Sequence, residues 1–326
     1  MDAVAISPWV WAGFILCILF FLALDLGIFH RRVRVVAFKE ALAWTALWFV
    51  LAVLFACEIT VWRGQEQGMQ FAAGYVIELS LSLDNVLVMA LIFAWFQVPR
   101  AFQHRLLFLG ILGALVMRGA MIAVGVALIH KFEWILYLFG AFLVFAGAKM
   151  VFSRKEIVRP EKNLAIRIVR RFFPVSHEFD GPRLFTRLNG RRALTPLALV
   201  LVLVETSDLI FALDSVPAVF SVTRDAFIVF TSNVFAILGL RSLYFVLAGV
   251  LEYFRFLKIG LSAVLVFVGI KMLIEPHGRS SQWFQIQIST GASLIVVATI
   301  LLVSVALSIV VARLEKTGVL KHRNRA

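Results

Sequence analysis

The sequence predicts an all-α polytopic membrane protein, and three observations support this fold class. Hydrophobic residues make up 62% of the 326 residues and charged residues only 16%, whereas soluble proteins contain roughly 25% charged residues. The mean hydropathy of +0.95 indicates more apolar side chain than a globule of this size can bury. Apolar runs of roughly 20 residues, long enough to cross a bilayer as a helix, recur along the chain.

Nine such runs predict about nine transmembrane spans. Their approximate ranges are 8–29, 41–61, 71–95, 106–129, 132–152, 194–220, 226–250, 257–274 and 288–312. A signal peptide is the alternative for the first run. That run has no basic region before it, however, and its basic cluster, HRRVR, follows it as it would follow a transmembrane helix. We therefore interpret the first run as a span.

The distribution of Lys and Arg predicts the orientation of the chain. When the connections are assigned alternately to the two sides, 24 of the 32 basic residues fall on one side, 4 fall on the other, and 4 lie within apolar runs. Cytoplasmic loops carry the excess of positive charge. The N-terminus is therefore predicted outside and the C-terminus in the cytoplasm.

An internal repeat relates spans three to five to spans six to eight. The segments LVFAGAKM (143–150) and LVFVGIKM (265–272) match at six of eight positions. Because each unit has three spans, an odd number, the second unit starts from the opposite side of the bilayer. We predict a 3+3 inverted-topology repeat, an architecture in which substrate sites lie near the midplane. The corresponding ionisable residues are Glu78 and Asp208, Asp84 and Asp214, Arg118 and Arg241, and Lys149 and Lys271.

These landmarks divide the chain into five predicted regions. They are two accessory spans in 1–70, the first repeat in 71–152, a basic cytoplasmic loop in 153–193, the second repeat in 194–275, and a last span with a basic cytoplasmic tail in 276–326. The loop is typical of a solvated cytoplasmic connection, and a partner or RNA site is the alternative. We expect the basic cytoplasmic face to bind anionic lipid, and we expect no nucleic acid partner.

Acidic residues within spans are the candidate functional residues, because a charge in hydrocarbon costs several kcal/mol unless it has a partner. In span three, Glu78, Ser82 and Asn85 share one helix face. Asp84 lies next to Asn85 on the same span. This face is the first half of the predicted site.

Span six supplies the second half. Glu205 and Asp208 are one helical turn apart, whereas Asp214 points away from Glu205 on a regular helix. Pro217 removes the hydrogen-bond donor to the Leu213 carbonyl, so we expect a hinge that kinks or opens the helix beside Asp214. An opened turn would turn Asp214 inward.

All of these candidates are oxygen ligands, which suit hard divalent cations such as Mn²⁺, Mg²⁺ or Ca²⁺. No histidine lies well within a span and neither cysteine lies in the repeat, so Zn²⁺ and copper fit less well. The predicted ligands are Glu78, Asp84, Asn85, Glu205, Asp208 and Asp214, with Ser82, Ser215, Asn233 and Asp25 as additional candidates.

The alternative is that the acids form only structural salt bridges with the intramembrane bases. A mixed interpretation is that these bases balance the charge of an empty site, and that a cation or protons displace them. The bases to which this charge-balancing or gating role is assigned are Arg118, Lys149, Arg241 and Lys271.

Three segments also resemble a known family. ELSLSLDNV, ETSDLIFALDSVPAVF and TSNVFAILGLRSLYF are similar to signature segments of the TerC family of integral membrane proteins, especially its Alx branch. The similarity runs from about Trp9 to Glu275. It implies a bacterial inner-membrane protein linked to Mn²⁺ export, with tellurium resistance as the historical family label, near the lysine exporter superfamily of inverted-repeat transporters. The acidic positions of the family would correspond to Glu78, Asp84, Asn85, Glu205, Asp208 and Asp214.

Three functions follow as hypotheses. The first is a secondary transporter that exports Mn²⁺ by alternating access, with Mn²⁺ as cargo, no permanently bound cofactor, and protons as a plausible counter-ion. The second is a non-transporting scaffold, or an insertion or stress-resistance factor. The third is an intramembrane enzyme or a retinal protein, which the absence of a GxGD motif and the repeat partner of Lys271 disfavour. We predict the first, with no catalytic residues.

Overall fold

The computed structural model describes residues 6–24, 37–152, 163–176, 178–188, 190–248, 256–276 and 285–316. These residues form ten α-helices and one two-stranded antiparallel sheet. The helices are α1 (Pro8–Leu24), α2 (Phe38–Arg63), α3 (Gln65–Trp95), α4 (Arg100–Lys131), α5 (Ile135–Phe152), α6 (Leu164–Phe172), α7 (Pro196–Phe220), α8 (Ala226–Ala248), α9 (Leu257–Ile274) and α10 (Thr290–Lys316). The strands are β1 (Phe185–Leu188) and β2 (Arg191–Leu194).

The predicted all-α membrane class is confirmed. Eight of the described helices, α2 to α5 and α7 to α10, are long and apolar enough to cross a bilayer. Helix α1 is also apolar, but its described part is only 17 residues long. The end of the first predicted span, at 25–29, and the candidate ligand Asp25 lie outside the described residues.

The helices form an inner group and an outer group. Helices α3, α7 and α8 pack together at the centre, and α4 packs against α7 and α8. Helices α2, α5 and α10 expose large apolar side chains such as Leu54, Phe145 and Leu302. Apolar surface of this extent is typical of contact with lipid rather than water. The polar candidates of spans three, six and seven therefore lie on the innermost helices.

An aromatic cluster joins α2 and α3 to α8. The ring of Phe55 in α2 lies 4.9 Å from that of Phe235 in α8 and 5.1 Å from that of Phe71 in α3. Edge-to-face and tilted aromatic pairs at these distances stabilise packing beyond the area that they bury. The cluster holds α2 against the central helices.

A single residue, Gly64, joins α2 to α3. Its φ of 109° lies in a region that glycine adopts without steric cost. Four residues later, Gly68 packs so closely against α2 that a Cβ atom there would overlap the Thr60 side chain. Helices α2 and α3 therefore form an antiparallel helix pair with almost no connecting loop.

Helices α5 and α9 cross at small residues. A Cβ atom at Gly140 would lie 2.9 Å from the carbonyl oxygen of Gly269, and one at Gly147 would lie 2.9 Å from the carbonyl oxygen of Ser262. The Ser262 hydroxyl also donates a hydrogen bond of 2.5 Å to the Gly147 carbonyl. Small residues at these positions let the two backbones approach, as is common between helices in membranes.

The segment predicted as a basic loop contains regular structure in its described part. Helix α6 begins after Asn163, whose side-chain oxygen accepts hydrogen bonds from the Ala165 and Ile166 amides at 2.9 and 3.3 Å. Such an N-cap stabilises the first turn. Strands β1 and β2 follow, with Phe185 opposite Leu194 and Leu188 opposite Arg191.

Candidate functional site

The centre of the molecule is a buried arginine that contacts three other helices. Arg118, in the middle of α4, is 2% exposed. Its Nη2 and Nε donate to the two carboxylate oxygens of Asp208 in α7, at 3.0 and 3.3 Å, and its Nη1 forms an ion pair with Glu78 in α3. A guanidinium suits this position because its planar fork of donors can bind a carboxylate with two parallel bonds.

Neutral polar side chains complete the network. Nη1 of Arg118 donates to Ser215 Oγ in α7 at 3.1 Å and to Asn233 Oδ1 in α8 at 3.2 Å. The amide of Asn85 in α3 donates to Asp208 Oδ1 at 2.6 Å. With Glu78 and Asp208 ionised, the network holds two negative charges and one positive charge. It therefore keeps a formal charge of −1 in a setting where unbalanced charge is costly.

Several buried oxygens beside this network have no hydrogen-bond partner within the described residues. They are Glu78 Oε2, Ser82 Oγ and Asn85 Oδ1 on α3, and Glu205 Oε2 on α7. Buried polar atoms in native proteins are nearly always satisfied by protein, water or an ion. Three of the four are acceptors only, and the fourth is a hydroxyl that can also donate. Water or a bound cation could satisfy such a group of oxygens.

Glu205 reaches this region because α4 has a glycine opposite it. A Cβ atom at Gly113 would overlap the Glu205 carboxylate, so the carboxylate lies directly against the α4 backbone. Glu205 is also within electrostatic range of Asp208. This contact extends the acidic face of α7 toward α4.

Asp84 and Asp214 form a second group, apart from Arg118. They occupy corresponding positions of the two predicted repeat units, are half-buried, and lie within electrostatic range of each other. Lys149 of α5 is the basic neighbour of Asp214, and Lys258 at the start of α9 is that of Asp84. Each carboxylate of the pair thus has a lysine of another helix within electrostatic range.

The structure separates the predicted ligands into these two groups. Glu78, Asn85, Asp208, Ser215 and Asn233 meet at Arg118, whereas Asp84 and Asp214 do not. Across the described ranges, no three His, Cys, Asp or Glu side chains are arranged to hold a metal ion. The guanidinium joins the carboxylates instead. The predicted ligand set therefore stays a prediction.

The predicted opening of α7 beside Asp214 is wrong, whereas a kink at Pro217 stays a prediction. Helix α7 continues through Pro217 to Phe220. Pro217 is buried in the last turn of the helix, and packing tolerates the loss of one backbone hydrogen bond at such a position in a membrane helix. Asp214 consequently keeps the direction that a regular helix gives it.

The other predicted bases differ in their surroundings. Lys271 is buried, and its Nζ donates to the Ser221 carbonyl at 3.2 Å and lies 3.4 Å from Glu275 Oε1. Arg241, in the position of α8 that corresponds to Arg118, is only half-buried. The two halves of the predicted repeat are thus not in equivalent states around their central arginines.

A polar vestibule lies at the end of the molecule where α9 ends. This cavity of about 520 Å³ is lined by Glu66, Gln70, Ser221, Glu275 and Thr290, among others. Sequence reasoning missed Glu66 and Glu275 because both lie outside the predicted spans. The four-residue spacing of Lys271 and Glu275 was the available signal, since side chains at that spacing meet on one helix face.

The pKa of Glu275 predicts a pH effect on stability. Burial raises this pKa above its ordinary value of 4.5, although the Lys271 ammonium opposes the shift. The folded protein therefore holds the carboxyl proton more tightly than the unfolded chain does, so the contribution of this group to stability is present below the unfolded pKa and lost as the pH rises through the folded pKa.

We therefore expect the Tm of the native chain, measured relative to that of Glu275→Gln, to fall as the pH rises from about 4 to 7. Thermal unfolding of the purified protein in detergent measures the difference. Glu133→Gln, an exposed acid at the start of the turn before α5, is the matched control and should show no such trend. Parallel pH profiles for the native chain and Glu275→Gln would contradict the assignment.

Membrane-length helices surrounding a buried ion-pair network define an integral, multi-pass helical membrane protein. The profile of the integral membrane protein TerC family matches residues 63–314. The chain belongs to the TerC family.

Relatives match over nearly the whole chain. "Uncharacterized membrane protein STKORF319" of Myxococcus xanthus is 50% identical over 312 residues, which cover 96% of this chain and 95% of that protein. "Putative membrane-bound redox modulator Alx" of Escherichia coli strain K12 is 46% identical over 277 residues, which cover 82% and 86% of the two chains. No solved structure gives a significant match.

Proposed function

We propose that this protein is a secondary transporter, rather than an enzyme, and that it exports Mn²⁺ from the cytoplasm across a bacterial inner membrane by alternating access. The observation that carries the proposal is the network around Arg118, which carries a formal charge of −1 when Glu78 and Asp208 are ionised and lies beside unpartnered buried oxygens. A structural ion pair would balance its charge and satisfy its acceptors. This network does neither. A bound cation would coordinate the unpartnered oxygens and offset the negative charge.

The chemistry of the unpartnered atoms supports a hard cation. Glu78 Oε2, Ser82 Oγ, Asn85 Oδ1 and Glu205 Oε2 are all oxygens, and carboxylate, amide and hydroxyl oxygens suit Mn²⁺, Mg²⁺ and Ca²⁺. The choice of Mn²⁺ among these ions, and the outward direction, come from the family resemblance. The E. coli relative is named as a redox modulator, and that description belongs to the relative.

Arg118 acts in this proposal as the positive charge of the empty site. Its guanidinium lies between Glu78 and Asp208, where a cation would be bound by both carboxylates. An entering cation competes for these carboxylates, while the hydrogen bonds of Arg118 to Ser215 and Asn233 offer the guanidinium a second position. Cation binding and arginine pairing are thus two alternatives whose balance depends on cation concentration.

The crossing of α5 and α9 supports the inverted repeat that alternating access requires. Aligning LVFAGAKM with LVFVGIKM makes Gly140 equivalent to Ser262 and Gly147 equivalent to Gly269. The contacts observed are Gly140 with Gly269 and Gly147 with Ser262. Exchanging the two halves converts one contact into the other, which is the relation expected for two units related by an axis in the membrane plane.

The predicted orientation gives the two ends of the molecule different roles. With the N-terminus outside, the vestibule beside Lys271 and Glu275 opens on the outer side. Helix α6 and the β-hairpin formed by β1 and β2 then lie on the cytoplasmic side. The vestibule is then the exit route. Lys271, which binds the Ser221 carbonyl below it, closes that route in this state.

Flux of Mn²⁺ into proteoliposomes tests the proposal. We expect Asp84→Asn and Asp214→Asn each to reduce transport roughly tenfold or more, because carboxylates along an ion pathway have effects at least as large as those of outer-shell metal partners. Both residues are half-buried and lie outside the Arg118 network, so their variants should fold. Glu178→Gln, an exposed acid before the hairpin, is the matched control and should transport normally.

Two results of the flux measurement would contradict parts of this proposal. If the native chain and both variants transport Mn²⁺ equally, the ion pathway does not pass Asp84 and Asp214. If the folded native chain moves no Mn²⁺ under several pH gradients, the exporter proposal fails. The non-transporting scaffold, for which neutralising these acids should have no consequence, would then be the better account.

A further inference from the structure

Helix α6 is a surface feature that the proposed transport cycle does not use. One of its faces packs against the bundle. Ile166 is 1% exposed and lies in a cluster with Leu197 and Val200, in the first turns of α7. Val169, one turn after Ile166, is half-buried on the same side. This contact places α6 level with the point where the apolar span of α7 begins.

A second face of α6 is apolar, and its side chains are exposed. Leu164, Ile168 and Phe172 are 69%, 50% and 72% exposed, and their four-residue spacing aligns them along one side of the helix. A continuous strip of large apolar residues is unfavourable in water, at about 25 cal/mol per Å² of apolar surface. At the level of the α7 start, the medium beside such a strip is the boundary of the bilayer.

The third face of α6 is cationic. Arg167, Arg170 and Arg171 are all exposed. On a helical projection the three faces take up roughly equal arcs of the circumference. A helix that lies in the membrane plane and against a bundle presents these three faces to protein, acyl chains and lipid headgroups. The same combination of an apolar strip and Arg residues is typical of interfacial amphipathic helices.

A groove beside α6 has the same mixed character. It has a volume of about 500 Å³. Its apolar side includes Trp95 and Phe96 at the end of α3 and Leu199 in α7, while Arg170 and Ser176 supply polar groups. An apolar groove with a cationic side chain at its edge fits a molecule that has an acyl chain and an anionic head.

We propose that α6 is an interfacial helix that docks the protein onto anionic phospholipid of the cytoplasmic leaflet. Leu164, Ile168 and Phe172 insert beside the acyl chains, and the three arginines bind lipid phosphates. Charge complementarity favours this occupant, because α6 lies on the side of the chain that carries 24 of its 32 basic residues and the cytoplasmic leaflet is anionic. The inference holds whether or not the protein transports Mn²⁺.

The depth of α6 in the membrane is the first test. In a full-length Cys17→Ala/Cys57→Ala background, spin labels are attached at Ile168→Cys or Phe172→Cys, with Arg187→Cys on the exposed hairpin as control, in vesicles that contain phosphatidylglycerol. We expect oxygen to relax the two α6 labels more than a water-soluble nickel chelate does, and the reverse at position 187. The proposal would be overturned if the nickel chelate relaxes the α6 labels more than oxygen does. It would also be overturned if neither reagent relaxes them, because protein would then cover the strip.

The lipid preference is the second test, with native mass spectrometry of the full chain in mixed phosphatidylglycerol and phosphatidylcholine. Changing Arg167, Arg170 and Arg171 to Gln should lower the preference for phosphatidylglycerol roughly fivefold per arginine, the equivalent of about 1 kcal/mol each. A matched triple variant on the hairpin should keep the native preference. Equal losses in the two variants, or no loss in either, would refute docking through α6. The matched control carries Arg187→Gln, Arg191→Gln and Arg192→Gln, all exposed.

Discussion

Replacing Arg118 with leucine is expected to leave most of the purified protein unfolded or aggregated. The change leaves Glu78 and Asp208 buried without their cation, and it removes the donor to Ser215 and Asn233. Breaking a buried pair by removing one partner costs about 3–5 kcal/mol, because an uncompensated charge remains. The measurement is the Tm and the monodisperse fraction of purified protein in detergent.

A compensated variant separates folding from transport. Glu78→Gln, Asp208→Asn and Arg118→Gln together remove all three charges and retain hydrogen-bonding groups, so we expect most of the lost Tm to return. Transport of Mn²⁺ should stay absent, because the carboxylates are gone. Arg63→Gln is the control, since Arg63 pairs with Asp225 at 2.8 Å near the protein surface. If Arg118→Leu costs no more Tm than Arg63→Gln, the central role of the Arg118 network is wrong.

Adding one methyl group at Gly269 is expected to have the second largest effect. A Cβ atom there would lie 2.7 Å from the Gly140 carbonyl oxygen and 2.8 Å from the Val144 amide nitrogen. Both are backbone atoms, so α5 and α9 must separate. Overpacking of this kind costs about 1–3 kcal/mol, and we expect Gly269→Ala to lower the Tm of the purified protein.

A second glycine in a helix supplies the control for this change. A Cβ atom at Gly13 in α1 would meet nothing within 4 Å, and alanine is the better helix former by up to about 1 kcal/mol. Gly13→Ala should therefore leave the Tm unchanged or raise it. Because Gly140 and Gly269 share one contact, their double variant should cost less than the sum of the single variants. A strictly additive double variant would show that the crossing is not the cause.

Hydropathy and charge predicted the membrane spans well, for a physical reason. A span must satisfy its own backbone hydrogen bonds in hydrocarbon, so length and composition alone reveal it. The helices nevertheless start and end beyond the predicted spans. Helix α3 begins at Gln65 rather than near 71, and α4 begins at Arg100 rather than near 106, because polar residues can continue a helix outside the apolar layer.

The sequence indicated which polar residues lie within the spans, but not which of them contact one another. Spacing along one helix shows that Glu78 and Asn85 share a face, but it does not reveal which residues of α7 meet them. The structure shows Asp208 and Ser215 there, with Arg118 between the helices, and it leaves Asp84 and Asp214 apart. These outcomes depend on how helices distant in sequence pack together.

Helix α6 was missed because its short amphipathic pattern lies in a segment that prolines and basic residues make resemble a solvated loop. The expectation that α7 opens at Pro217 failed for a related reason. A proline predicts a break from local geometry, whereas the packing of buried neighbours such as Val216 and Val219 maintains the helix. Where a segment is buried on most sides, its tertiary contacts determine its conformation more than its local sequence does.

The one-residue connection at Gly64 has a mechanical consequence. With no loop to absorb displacement, any tilt of α3 is transmitted directly to the adjoining end of α2. The two helices would therefore have to tilt together, so that α2 could not stay fixed while α3 moved. Substitution of Gly64 by a β-branched residue would strain this connection, because its φ of 109° is one that L side chains rarely adopt.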